Sequence, residues 1–160
     1  MPRARLVRVM PNTPCLVGAM AAGFAMGTGT GTGDRDLVAR LLAAAGEAHE
    51  VPEEQLDAVT GLSGSGPAYF ARFIEWFSAA GVQQGLQPQV AAALTLQTAL
   101  GTALLLQQQG MAPDDLVQMV SSPGGTTVAG RRELEAGAVR GALERTVAAA
   151  TDRSRELGRA

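Results

Sequence analysis

Val120-Ser121-Ser122-Pro123-Gly124-Gly125-Thr126-Thr127-Val128-Ala129-Gly130 reads as a glycine-rich loop opening onto a helix, and the rest of the chain is best read outward from it. The first helical turn leaves amide donors unpaired and carries the positive end of the helix dipole. A carboxylate or phosphate can therefore be held there without a basic side chain. Glycine lets that backbone approach a small anion closely, and serine and threonine hydroxyls stand beside it. The plainer reading of the same residues is a helix N-cap after a tight turn. The surrounding segments decide between the two.

Helix dominates on both sides. Upstream, Pro113-Asp114-Asp115 opens a short helix with its carboxylates suited to the dipole. Downstream, the pattern predicts helices from Thr127 to about Ala136 and from Arg140 to about Leu157, divided at Gly137. Arg131, Arg132, Arg140, Arg145, Arg153 and Arg155 read as solvated faces or ion pairs of small energetic weight. Further back, Pro88 starts a long helix through Leu94, Leu96, Leu100, Leu104, Leu105 and Leu106 to Gln109, and no charge lies between Glu75 and Asp114. Thr95, Gln97, Thr98, Gly101 and Thr102 interrupt it, its unbroken apolar run falls short of the roughly 20 residues of a bilayer span, and flanking arginines are absent. No membrane is expected; a helix this uncharged reads as part of an oligomer interface. The helix before it, Ala68 to about Gln84, starts after Pro67 and carries Tyr69, Phe70, Phe73, Ile74, Trp76 and Phe77 against a narrow stripe of Arg72, Glu75 and Gln83. So broad an apolar surface predicts burial on more than one side.

The N-terminal third is shorter-grained. Residues 1–10 have no long apolar core or small-residue cleavage site and read as the start of a strand, entered abruptly enough to expect something upstream. Leu16 to Met26, followed by Gly27-Thr28-Gly29-Thr30-Gly31-Thr32-Gly33, predicts two short strands and a flexible turn. No register of that tract gives G-x-G-x-x-G, so it is read as a turn and not as a dinucleotide fingerprint. From Asp34, read as the N-cap, Leu37, Val38, Leu41 and Leu42 recur at helical spacing until Gly46. Glu47 to Val51 follows as a short strand, with His49 on the surface among charged neighbours, and Leu56 to Val59 as a further helical turn.

Composition excludes several chemistries. A 160-residue chain holds one domain with a real core, or one domain plus part of another. With 46% hydrophobic and 18% charged residues it reads as buried or self-associating rather than disordered. A net charge of -2 gives no reason to expect nucleic acid. Cys15 and His49 are the single cysteine and histidine, so neither a disulfide framework nor a structural zinc site is expected within one chain, and a reducing cytoplasm fits. There is no lysine, which removes Schiff-base chemistry, the P-loop lysine and a lysine general base.

Three segments, Met10-Pro11-Asn12-Thr13-Pro14, Asp57-Ala58-Val59-Thr60-Gly61-Leu62-Ser63-Gly64-Ser65-Gly66-Pro67-Ala68-Tyr69 and the loop from Ser121 to Gly130, together resemble pyrroline-5-carboxylate reductase in type and order. The resemblance covers essentially the whole chain. It implies an oxidoreductase of proline biosynthesis that reduces a cyclic imine to L-proline with NADPH or NADH. It also implies a fold that is mainly α: a helical dimerisation domain of the dehydrogenase C-terminal type, preceded by a short β remnant of a Rossmann domain. Residues 1–33 would be the terminal strands of a truncated dinucleotide-binding domain, and residues 34–160 the helical dimerisation and substrate-binding domain. A cytoplasmic homodimer through the helices of residues 68–109, within a larger ring of dimers, follows from the same resemblance. One departure is local: Arg131 stands where the family pattern has an aliphatic residue. The larger departure is the missing G-x-G-x-x-G turn, which implies that the chain alone is inactive.

The implied chemistry suits the residues. Imine reduction needs hydride delivered to the C=N carbon, a hydrogen-bond donor near the nitrogen and a fixed grip on the substrate carboxylate. By resemblance, Ser121, Ser122, Gly124, Gly125, Thr126 and Thr127 bind the substrate: amides around Gly125 to Thr127, with the Ser122 hydroxyl, hold the carboxylate, and Thr127, the catalytic residue, points its hydroxyl at the imine nitrogen. A threonine hydroxyl is too weak an acid to protonate unaided, so its role is orientation. Asn12, Thr13, Pro14, Ser63 and Gly64 are implied on the cofactor side, and no metal is implied. The plain readings are a turn at Asn12-Thr13-Pro14 and an N-cap at Ser63 to Gly66.

Other readings fit less well. Gly61-Leu62-Ser63-Gly64-Ser65 begins like a nucleophile elbow, but its fifth position is serine and His49 is the sole imidazole. A β-hydroxyacid dehydrogenase C-terminal domain shares the helical architecture but implies a lysine-dependent mechanism, and lysine is absent. The competitor from a different class is a dimerisation and substrate-binding module without catalysis of its own, which the missing fingerprint favours.

Overall fold

A computed structural model describes residues 4–159. The described chain is mainly helical, with a small mixed sheet near its N-terminus. It forms two compact units, one comprising the residues up to Tyr69 together with those from Leu143 onward, the other Phe70–Ala142.

In the first unit the sheet has the order β1-β2-β3, where β1 is Val7–Met10, β2 is Met20–Met26 and β3 is Gly46–Glu50. Strand β2 runs antiparallel to β1, with Val7 opposite Met26, and parallel to β3, with Met20 opposite Gly46. The parallel pair needs a crossover, and helix α1 (Thr32–Ala43) supplies it. Central β2 is the core of the unit: Met20, Ala22, Phe24 and Ala25 are buried, as is Leu56 on helix α2 (Leu56–Val59). Gly23 is required where it stands, because a Cβ there would lie 2.7 Å from Val59 Cγ2. Helix α2 widens into a π-helical turn, Thr60–Gly64, before helix α3 (Gly66–Gln83) begins with Pro67 in its first turn. Helix α7 (Val139–Leu157) returns to this unit from Leu143 on and buries Thr151.

Two local expectations are corrected. Leu16 and Val17 do not begin a strand; they end a 3-10 helix, Thr13–Val17, in which Pro14 sets the first turn and Gly18, at φ 71°, closes the last. Only Met20–Met26 of that stretch is β. Asp34 is not the N-cap of α1 either. Gly31 takes that place, and Asp34, three residues on, reaches back so that the Gly31 amide donates to its carboxylate at 3.0 Å. Glycine has no side chain with which to cap, so only the carboxylate half of a capping box is present.

In the second unit the rest of α3 is followed by α4 (Pro88–Gln109), α5 (Pro113–Met119), α6 (Thr126–Ala136) and the first residues of α7. Gly110, at φ 58°, ends α4. The break between α6 and α7 comprises Gly137, the C-cap of α6, and Ala138, whose φ of 50° is the one positive φ outside glycine among the described residues. Helix α6 runs unbroken through Arg131, whose guanidinium pairs with Glu135 at 3.3 Å one turn on.

Candidate functional site

Asn12, Ser63 and Gly64, far apart in sequence, meet in the first unit. The Asn12 carboxamide donates from Nδ2 to the Ser63 carbonyl at 3.1 Å and accepts at Oδ1 from the Ala21 amide at 2.9 Å. One side chain thus ties the end of β1 to the start of β2 and to the π-helical turn. Each of its polar atoms already makes one bond within the protein, and the exposed Thr13 and half-buried Pro14 stand beside it. Ser63 Oγ donates to the Val59 carbonyl at 3.1 Å, and the Ser65 amide to the Thr60 carbonyl at 2.9 Å, which closes the wide turn. A Cβ on Gly64 would meet the flexible methyl end of Met10, which would have to shift to make room.

The Gly27–Gly33 tract joins the C-terminal end of β2 to the N-terminus of α1, the place in a βαβ unit where a phosphate is often held. Here the helix already has an anion. Asp34 receives the Gly31 amide, and its other oxygen is paired with Arg5 at 2.7 Å. The glycine tract is therefore a self-capped turn. His49 stands exposed near Glu47 at 3.6 Å, a surface pair.

The loop before α6 lies in the second unit. The Gly125 amide donates to the Ser122 carbonyl at 2.9 Å, and Gly124 takes φ 72°, so the chain turns sharply into the helix. Gly125 is the N-cap and contributes no side-chain acceptor. The first amide of α6 with a backbone acceptor is that of Ala129, bonded to the Gly125 carbonyl at 3.3 Å, which leaves the Thr126, Thr127 and Val128 amides at the open end of the helix. A Cβ on Gly125 would lie 2.5 Å from Ser122 Oγ, so the hydroxyl is held close over the turn. Ser121 Oγ is buried and makes no hydrogen bond within the protein. Ser121 and Thr127 are half-buried; Ser122, Gly124 and Thr126 are exposed. The arrangement suits one small carboxylate, with no cation within the loop to compete for it.

Helix α4 is apolar on all sides and long enough, by length and composition, to cross a bilayer, yet only 6% of its most apolar window is buried within the chain. A helix apolar all round requires cover on every side. Phe70, Trp76 and Phe77 of α3 and Leu94, Leu96 and Leu100 of α4 are all exposed.

A family model described as pyrroline-5-carboxylate reductase dimerisation matches residues 53–157. The chain belongs to this family. It is 48% identical over 153 residues to a pyrroline-5-carboxylate reductase of Arabidopsis thaliana, a match spanning 96% of this chain and 55% of that protein. It is 42% identical over 158 residues to pyrroline-5-carboxylate reductase 3 of Macaca fascicularis, spanning 99% of this chain and 58% of that one. The chain thus spans just over half the length of these curated relatives. Among solved structures, a pyrroline-5-carboxylate reductase from Coxiella burnetii superposes with a TM-score of 0.94 at 37% identity, covering 96% of this chain and 57% of that chain. The Plasmodium falciparum pyrroline carboxylate reductase, solved with NADP bound, superposes with a TM-score of 0.88 at 33% identity, covering 98% of this chain and 60% of that chain.

Within the pyrroline-5-carboxylate reductase pattern, the motif residues fall into two groups. Asn12, Thr13, Pro14, Ser63 and Gly64 are drawn together in the first unit, and Ser121, Ser122, Gly124, Gly125, Thr126 and Thr127 form one loop and helix start in the second. Sequence reasoning missed the residues behind the first group. Ser154 donates to Asp57 Oδ1 at 2.6 Å across 97 residues, and Thr151 packs on Gly61. Asp57 and Gly61 lie inside a quoted motif, but nothing in it signals partners on the last helix.

Proposed function

We propose that the chain is the dimerisation and substrate-binding part of a pyrroline-5-carboxylate reductase, which reduces the cyclic imine pyrroline-5-carboxylate to L-proline with NADPH or NADH. The observation that carries the reading is the open first turn of α6: the Thr126, Thr127 and Val128 amides have no backbone acceptor, and the Ser122 hydroxyl lies close over Gly125, the N-cap. Ser121, Ser122, Gly124, Gly125 and Thr126 hold the substrate carboxylate through amides and hydroxyls. Thr127 directs its hydroxyl to the ring nitrogen and so fixes which face of the C=N bond is open to reduction. The developing amine takes its proton from water or is protonated before reduction, because a threonine alcohol does not give up a proton near neutral pH.

On the cofactor side, Thr13, Pro14, Ser63 and Gly64 line the nicotinamide, with Asn12 holding them in place through its two hydrogen bonds. The bound cofactor supplies the hydride that the imine carbon accepts. NADP is the ligand named with the Plasmodium falciparum relative, which supports the same class here. We assign residues 1–33 as terminal strands of a dinucleotide-binding domain, with β3 sharing their sheet, and residues 34–160 as the helical dimerisation and substrate domain. The assembly is a homodimer through residues 68–109, arranged in a larger ring of dimers in the cytoplasm. The chain by itself binds substrate and dimerises without turnover, since its sequence has no G-x-G-x-x-G and its glycine tract is capped by Asp34.

Nicotinamide absorbance followed with the folded chain, NADPH and pyrroline-5-carboxylate tests this division. No substrate-dependent oxidation by a folded dimer is expected. Oxidation at an enzyme-like rate would mean that the nucleotide site needs nothing beyond these residues.

A further inference from the structure

We infer that the last helix, α7, is a brace that positions the cofactor-side corner, with Asp57, Gly61, Thr151 and Ser154 as its positioning residues; the inference rests on the proposed cofactor role of Asn12, Thr13, Pro14, Ser63 and Gly64. Three contacts within the first unit form one chain. Ser154 Oγ donates to Asp57 Oδ1 at 2.6 Å, at the head of the π-helical turn. Thr151, a buried polar residue, lies against Gly61 at the middle of that turn. A Cβ on Gly61 would collide with Thr151 Oγ1 and stand 2.9 Å from the Val147 carbonyl and 3.0 Å from the Thr151 amide, so the turn and the α7 backbone are in direct contact. At its far end the Ser63 carbonyl accepts from Asn12 Nδ2, and Asn12 Oδ1 accepts from the Ala21 amide.

A π-helical turn is a wide, weakly held piece of backbone, often kept at functional sites by its surroundings. Here one side is fixed by α7 and the other reaches the Asn12 corner, so loosening α7 frees the Ser63 carbonyl and with it the Asn12 carboxamide. The Ala21 amide reports that event, because its acceptor is Asn12 itself. The Val51 amide, bonded to the Phe24 carbonyl at 2.9 Å in the same unit, reports opening of the sheet.

Hydrogen exchange on the full 160-residue chain tests the brace. Ser154→Ala and Gly61→Ala are each expected to speed exchange at Ala21 about tenfold, as befits loss of one hydrogen bond to a charged group or of one close contact, while Val51 stays at its original rate. Ser154→Thr restores slow exchange, and Arg153→Ala, on the exposed side of α7, has no effect. Unchanged exchange at Ala21 in both disruptive variants, or equal acceleration at Ala21 and Val51, would overturn the proposal. The brace is decided by these variants on this chain; the cofactor role is decided separately in the complete enzyme, where Ser154→Ala raises KM for NADPH if the corner lines the nicotinamide and leaves it unchanged if it does not.

Discussion

On the proposed reading Thr127 is the residue on which the chemistry turns, and its setting is one in which a neutral hydroxyl suffices. It is half-buried in the first turn of α6, next to amides that the helix cannot use. If those amides hold the substrate carboxylate as proposed, the hydroxyl has only to orient a nitrogen. In the complete enzyme, Thr127→Ala is expected to lower kcat roughly 10- to 100-fold, the value of one directed hydrogen bond, with KM for the imine changed less; steady-state kinetics read the split. An unchanged kcat would remove Thr127 from the mechanism. Asn12 teaches a different lesson. By resemblance its motif lies on the cofactor side, and its carboxamide bonds Ala21 and Ser63. Those partners lie 9 and 51 residues away, so the motif was legible in the sequence and the way Asn12 acts was not.

Among elements, helix starts were read well where a proline marked them: Pro67, Pro88 and Pro113 open α3, α4 and α5. The expected stop at Gly46 is not one: α1 ends at Ala43, and Gly46 is the first residue of β3. Errors arose where backbone conformation did the work without that mark. Gly31 caps α1 while the stronger capping residue, Asp34, acts from three positions inside. Leu16 and Val17 look like strand residues but follow Pro14 into a 3-10 turn. The α6 to α7 junction puts its positive φ on Ala138, next to a glycine that does not need it. An L-residue in that conformation is strained. Ala138→Gly is therefore expected to stabilise the chain by about 1 kcal/mol, seen as a higher denaturant midpoint with unchanged m-value; no shift would mean that the neighbouring bonds offset the strain.

At the scale of the molecule, α3 and α4 set the account apart from that of a self-sufficient domain. Phe70 is 72% exposed and Leu94 55% exposed in a helix pair with almost no charge, an apolar surface of a kind that monomers rarely present. The sequence announced this through the uncharged run from Trp76 to Pro113 but did not reveal how little of α4 the chain buries by itself. If a second copy covers that surface, Leu100→Asp puts a carboxylate into the interface and is expected to shift the chain to monomer at micromolar concentration, judged by sedimentation velocity. An unaffected dimer would place the interface elsewhere. The most direct test is the mass of the original chain in solution. Light scattering at micromolar concentration is expected to give about twice 16.4 kDa, or a multiple of that dimer, and a single species of 16.4 kDa would contradict the account.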